Sequence, residues 1–231
     1  MDTMKNRLQV VKSRIDAART ASDGYARDIV LVAISKGHGA TALRQAYGAG
    51  QRDFGESYLQ EALDKMAALV DLPIRWHFVG PIQSNKTRAI AEHFDWVHSV
   101  DRFKVAQRLS AQRPADMPAL NVCVQVNVSG EASKSGIAPE DVAELARAVA
   151  ALPHLRLRGL MAIPEPTQDC DLTRRRFASL VQMRDTLQQQ GISLDTLSMG
   201  MSDDFEIAIS AGSTMVRIGT AIFGPRAART A

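Results

Sequence analysis

Hydrophobic positions recur along this chain with two different periods. Leu8, Val11, Ile15 and Ala18 stand three or four residues apart with charged residues between them, which predicts an amphipathic helix over about residues 3–22. Ser22-Asp23-Gly24 closes it. Ile29-Val30-Leu31-Val32-Ala33-Ile34 is instead an unbroken apolar run rich in β-branched residues, and it predicts a strand buried on both faces. Similar short runs follow at 53–55, 75–79, 96–100, 119–128, 158–163, 196–199 and 215–218, which makes eight. The segments between them, 41–49, 58–70, 86–94, 102–112, 139–151, 172–190 and 204–211, carry helical spacing, and each is about one helix long.

Strands that alternate with helices predict βαβ units, because parallel neighbours need a crossover connection. Eight such units in about 200 residues fit an α/β fold of (β/α)8 type, a single TIM-type barrel over about 28–224 with an extra helix before it. An open doubly wound sheet is the competing architecture. It is disfavoured because no Gly-x-Gly-x-x-Gly follows the first strand. Without a Pro/Gly/Ser-rich linker or a low-complexity segment, residues 1–231 are expected to form one domain.

Composition narrows the function by exclusion. The 231 residues are 45% hydrophobic and 23% charged, as in an ordinary globular protein. A net charge of +3, with the signs interspersed, gives no support to a nucleic-acid partner. The polar start Met1-Asp2-Thr3-Met4-Lys5-Asn6-Arg7 is no signal peptide, and no apolar run approaches about 18 residues, so a cytoplasmic protein without membrane attachment is expected. Cys123 and Cys170 are the only cysteines and lack neighbours at metal spacing, so neither a disulfide framework nor a metal site is expected.

In such barrels the chemistry sits at strand C-terminal ends and the loops after them. Lys36 follows the first strand. Its stem can lie along apolar walls while the amine is desolvated into a Schiff-base nucleophile, or the side chain can simply snorkel to solvent. Near the end of the chain, Ser202 follows the seventh strand and Gly219-Thr220 the eighth, where barrels of this type commonly bind phosphate. Ser202 is equally well read as the N-cap of the next helix, with Asp203 and Asp204 in its first turn. Arg217 points from the last strand into the barrel interior or mouth and needs a partner, either a ligand or a carboxylate such as Glu206. An amine on one side of a barrel mouth and a phosphate cradle on the other suit a ligand carrying both an aldehyde and a phosphate, of which pyridoxal 5′-phosphate (PLP) is one.

The same residues carry a family resemblance. Val32-Ala33-Ile34-Ser35-Lys36, the segment from Phe54 to Glu61, the segment from Trp76 to Lys86, Leu197-Ser198-Met199-Gly200-Met201-Ser202 and the segment from Val216 to Gly224 resemble, in order, the motifs of the pyridoxal-phosphate homeostasis proteins, the YggS/PROSC family. The likeness runs from about Leu8 to Gly224. It implies a barrel similar to the N-terminal domain of alanine racemase, with PLP held as an internal aldimine on Lys36. It further implies that Arg217 faces the pyridine nitrogen and that Ser202, Gly219 and Thr220 hold the phosphate. The chain departs from the family pattern at Gly37-His38-Gly39, where a threonine and then a proline are common, and at Ser57, where asparagine is common. The first departure predicts a more flexible loop.

The implied function is storage or delivery of PLP, with influence on amino-acid and keto-acid pools and without a catalytic reaction of its own. PLP-dependent apo-enzymes are the implied partners. The alternative is a PLP-dependent racemase or lyase using the same site. A third reading is a barrel enzyme acting on a phosphorylated metabolite without PLP. Alanine racemases add a β-rich second domain that supplies a tyrosine across a dimer interface. This chain ends soon after its eighth strand and offers only Tyr25, Tyr47 and Tyr58, in or beside predicted helices, so a monomer without two-base chemistry is expected. Further residues are expected near the cofactor. Ser57 and Asn85 lie after the second and third strands, and Lys134, after the fifth, either approaches the ring or is solvated. His77 turns inward or is a core histidine, while Met161 and Met199 either pack on the ring or fill the core. Arg174-Arg175-Arg176 reads as a solvated helix face.

Overall fold

Each of the eight apolar runs is a strand. In the computed structural model, which describes residues 3–22, 28–130 and 135–225, these are β1 (Val30–Ile34), β2 (Asp53–Glu56), β3 (Arg75–Phe78), β4 (Trp96–Val100), β5 (Leu120–Gln125), β6 (Leu155–Met161), β7 (Thr196–Ser198) and β8 (Met215–Ile218). They pair in sequence order, all parallel, and β8 returns to β1 to close the barrel. Helices α2 (Ala40–Gly48), α3 (Leu59–Ala68), α4 (Thr87–His93), α5 (Phe103–Gln112), α6 (Val142–Ala150), α7 (Cys170–Gln189) and α8 (Phe205–Ser210) connect the strands. The extra helix α1 (Met4–Thr20) precedes the barrel, and a short α9 (Thr220–Phe223) follows β8.

Two strand boundaries differ from the sequence pattern by three residues. The run over 119–128 stops pairing at Gln125, because Val126 leaves the ladder for an isolated bridge with Ile137. β6 starts at Leu155, since exposed Arg156 and half-buried Arg158 interrupt an apolar alternation that the strand nonetheless maintains.

The strands separate two interiors. Leu31, Ala33, Phe54, Phe78, Val97, Val122, Val124, Leu160, Leu197 and Val216 pack outward against the helices as one apolar cluster. The opposite faces point into the barrel. A side chain at Gly55 would run into Ile34 Cδ1 at 2.4 Å and Val32 Cγ1 at 3.0 Å, so glycine there makes room for the β1 side chains on the inner face. The inner face also holds His77, His98, Ser198 and Arg217, all buried. Thr3 caps α1, accepting from Asn6 N at 3.2 Å, and the helix buries Leu8, Val11 and Ile15 while packing across α2, α8 and α9. Among the described residues no helix is long and apolar enough to cross a membrane.

Candidate functional site at the barrel mouth

Lys36 is the second residue after β1, and the backbone on both sides of it is fixed. The Ser35 carbonyl accepts from Lys65 Nζ at 2.7 Å, and Gly37 N–H donates to Glu61 Oε1 at 2.5 Å. Lys65 also donates to Glu56 Oε1 at 2.6 Å and to Glu61 Oε1 at 2.7 Å, and the Ser35 hydroxyl donates to the same Glu56 oxygen at 2.6 Å. Burial pushes the Glu56 carboxyl above its ordinary range, against the pull of Lys65. Lys65 is thereby committed to two carboxylates, whereas Lys36 lines a cavity of about 230 Å³. The loop at Gly37-His38-Gly39, which departs from the family pattern, makes contacts of its own. His38 N–H donates to the Ser35 carbonyl at 3.0 Å, Gly37 takes φ +79°, and the His38 ring stacks on Phe223 at 5.1 Å.

The cavity lies at the carboxyl-terminal end of the barrel, and Lys36, Ser57, Ser202, Arg217, Gly219 and Thr220 all line it. Arg217 enters from β8, 4% exposed, donating from Nη1 to the Ser198 carbonyl at 2.6 Å and to the Ser198 hydroxyl at 2.7 Å, and from Nη2 to the Ala162 carbonyl at 2.9 Å. An arginine carries five N–H donors. Among the described residues nothing accepts from Nε or from the second Nη2 N–H. Burial lowers this guanidinium to about 10, which still leaves it a cation at neutral pH. Glu206, its expected carboxylate, instead lies outside the barrel, where it pairs with Arg14 at 2.6 Å.

The rim beside Lys36, rather than across the mouth from it as expected, is built from donors, because β8 pairs with β1 and Gly219 sits against the Ile34 carbonyl. The backbone N–H groups of Ser202, Gly219 and Thr220, and the hydroxyls of Ser202 and Thr220, have no acceptor among the described residues. Ser202 is not the N-cap of α8. Asp204 holds that position, and its carboxylate accepts from Met201 N–H at 2.6 Å, so Ser202 and Asp203 stay in the loop. Gly200 turns that loop with φ +97°, where a Cβ would meet Ala208 Cβ at 2.7 Å and Phe205 Cα at 3.0 Å.

Several expected neighbours do not reach the cavity. His77 is wholly buried deeper in the barrel, bonded to Asp53 and His98 and stacked on Trp96. Met161 and Met199 are buried among core side chains, and Asn85 is exposed on a 3-10 turn over Ser84–Lys86. Lys134 and Tyr25 lie outside the described residues. Arg176 is not solvated as expected: its side chain is 11% exposed and contacts Glu165. Conversely, residues not expected there also line the cavity: Met201, Asp203 and Gly224 on the later loops, and Ile34, His38, Val79 and Ile163. The last four sit at a strand end or within four residues past one, so the strand-end rule applied to every such position finds them.

Comparison with known proteins identifies the family. A family model described as the alanine racemase N-terminal domain matches residues 6–227. The chain is 60% identical over 226 residues to the pyridoxal phosphate homeostasis protein of Pseudomonas aeruginosa, covering 98% of this chain and 97% of that one. It is 51% identical over 232 residues to the protein of the same name from Escherichia coli K12, covering 98% of each. PipY of Synechococcus elongatus, solved with PLP bound, superposes with a TM-score of 0.82 at 39% identity over 92% of this chain and 99% of that one. Alanine racemase of Clostridium difficile, at 15% identity and a TM-score of 0.78, shares the fold over 99% of this chain and 58% of its own. The chain therefore belongs to the alanine racemase N-terminal domain family, and within it to the pyridoxal phosphate homeostasis proteins.

Proposed function

We propose that this protein binds pyridoxal 5′-phosphate at the barrel mouth and acts in cofactor homeostasis, storing or delivering PLP and so influencing amino-acid and keto-acid pools. The observation that carries this reading is one cavity lined by a lysine, a buried arginine with N–H groups left over, and a rim of backbone and hydroxyl donors. When bound, PLP supplies an aldehyde that condenses with a primary amine and a ring that withdraws electrons. Lys36 Nζ is the amine that holds it covalently. Ser202, Gly219 and Thr220 bind the phosphate through hydroxyl and backbone donors, and Ser57 contributes to the rim.

Arg217 bears on the chemistry that a bound ring could support. Its leftover N–H groups would donate to the ring nitrogen, and a guanidinium that keeps its proton would leave that nitrogen unprotonated. A ring so held would withdraw electrons less strongly than one protonated at that nitrogen. Of the described tyrosines, Tyr47 lies under the Arg52 guanidinium on the outside of the barrel and Tyr58 is 53% exposed, and neither lines the cavity. A racemase or lyase reading would need Lys36 or His38 as its base. Delivery involves PLP-dependent apo-enzymes, and the carrier works as a monomer.

The test is a visible spectrum of the PLP-loaded protein, followed by borohydride reduction and peptide mapping. The tag is expected on Lys36, with both band and tag lost in Lys36→Ala. A colourless protein that borohydride cannot tag would overturn the reading. Sustained exchange of an amino acid's α-proton in deuterated water at enzyme-like rates would replace the carrier with the enzyme.

A further inference from the structure

The barrel interior contains a chain of polar contacts for which binding at the mouth has no direct use. Asp53 Oδ1 lies 3.1 Å from His77 Nε2, His77 Nδ1 lies 2.9 Å from His98 Nε2, and His98 Nδ1 lies 2.8 Å from Ser198 Oγ. Ser198 Oγ in turn accepts from Arg217 Nη1 at 2.7 Å. Asp53 opens β2 at the amino-terminal end of the barrel, so these five side chains connect its floor to the cavity at its mouth. His77, His98 and Ser198 are fully buried, and Asp53 and Arg217 nearly so.

The partners determine where every proton sits. Arg75 grips Asp53 with two bonds of 2.7 Å. Burial alone would raise the Asp53 carboxyl, but His77 and Arg75 outweigh it and hold it below its ordinary range, so Asp53 is a carboxylate that only accepts. His77 Nε2 must then donate to it, which leaves His77 Nδ1 as the acceptor of a neutral ring. His98 Nε2 must donate to that nitrogen, so His98 Nδ1 accepts from the Ser198 hydroxyl, whose oxygen accepts from Arg217. Each donor meets an acceptor, and all the bonds point one way, from the guanidinium to the carboxylate. Any other arrangement puts two donors or two acceptors face to face, or makes a buried imidazole cationic. Burial opposes that last option, holding His77 below the ordinary 6.5 and His98 well below it.

Barrels of this type usually fill their interiors with branched aliphatic side chains, and a polar chain there is costly unless every member is satisfied. A satisfied chain with opposite charges at its ends is also polarised along its whole length, each bond strengthening the next. We propose that Asp53, His77, His98 and Ser198 form a relay that positions Arg217 and sets how strongly its cavity-facing N–H groups donate to the ring nitrogen of PLP. The relay rests on the reading that Arg217 meets that nitrogen. It makes the four residues positioning groups for a cofactor that none of them touches.

Two substitutions at the far end of the relay act with opposite sign. Asp53→Asn keeps an oxygen to accept from His77 but removes the charge. Arg75→Met leaves the carboxylate and removes its competing cation; the Arg75 side chain is 61% exposed, so this variant keeps the test open if Asp53→Asn does not fold. In full-length PLP-loaded protein, the visible band is expected to move in opposite directions in the two variants. Ser198→Ala, which cuts the relay beside Arg217, is expected to weaken PLP retention about tenfold, the scale of one hydrogen bond to a charged group. Before loading, nitrogen-15 spectra of the histidines should show both rings neutral and protonated at Nε2. Bands that stay in place in both far-end variants, or a proton on His98 Nδ1, would overturn the relay. Borohydride tagging of Lys36 in the same samples separates the failures. A tagged Lys36 with an immobile band rejects the relay alone, while an untagged Lys36 rejects the binding site and the relay with it.

Discussion

Lys65 shows how much of the site's rigidity depends on one side chain that never enters the cavity. Its ammonium neutralises Glu56, which is fully buried, and holds the carbonyl that precedes Lys36. Lys65→Met removes the partner and leaves a buried carboxylate uncompensated, at an expected cost of about 3–5 kcal/mol in denaturant unfolding. Adding Glu56→Gln should recover a large part of that loss, and a double variant no more stable than Lys65→Met would refute the pairing. The buried histidines make a separate prediction about pH. Their folded-state pKa values are depressed, so the unfolded chain takes up protons first as pH falls below about 6.5. Stability they contribute is fully present above that pH and is lost progressively below it. Glu56 and Asp204, raised by burial, act with the opposite sign, so the informative quantity is a difference. The gap in urea midpoint between wild type and His98→Gln should narrow as pH falls from 7.5 to about 5; a gap that stays constant would mean His98 does not titrate between the two states.

At the scale of elements, the alternation of short apolar runs with helical segments marked all eight strands, because a parallel strand covered on both faces must be apolar at nearly every position. The strand-end rule likewise picked out Lys36, Ser57, Ser202, Gly219 and Thr220, which line the cavity. It failed where side-chain direction matters. His77 lies in the middle of β3, and its inward turn takes it to Asp53 and His98 rather than up to the mouth. Asn85 sits past a strand end too, yet a 3-10 turn carries it outward. Ser202 resembled an N-cap because Ser-Asp-Asp precedes an apolar run, and only the turn at Gly200 shows that Asp204 takes the cap. That turn is testable. Gly200→Ala puts a Cβ into Ala208 and Phe205 at a positive φ, so it should cost about 1–3 kcal/mol and weaken PLP retention by displacing Ser202. Gly191→Ala, at φ +83° with nothing within 4 Å, should cost about 1 kcal/mol and leave retention unchanged. Equal retention in the two variants would separate the turn from the site.

Across the whole molecule, the helix that precedes the barrel is placed to support the part of the mouth proposed to hold the phosphate. α1 packs over α8 and α9, the helices that follow β7 and β8, and so lies behind both loops that supply the donor rim. Two polar ties reinforce the contact: Arg7 Nε donates to the Ile222 carbonyl of α9 at 2.7 Å, and Arg14 pairs with Glu206 of α8 while lying over the Phe205 ring. Burial of Leu8, Val11 and Ile15 in that seam therefore stabilises the barrel and the rim together. Leu8→Ala should cost about 2–5 kcal/mol and also weaken PLP retention, because α9 begins at Thr220 and moves with the seam. Leu187→Ala provides the matched control: it is 2% exposed near the end of α7, beside the start of β7 and away from the mouth, so it should cost a similar amount while retention holds. Unfolding midpoints and equilibrium dialysis of PLP, measured on both variants at a temperature where each is folded, decide the matter. If the two lose stability alike and retention alike, α1 is a cover for the barrel floor and wall and has no particular bearing on the cofactor.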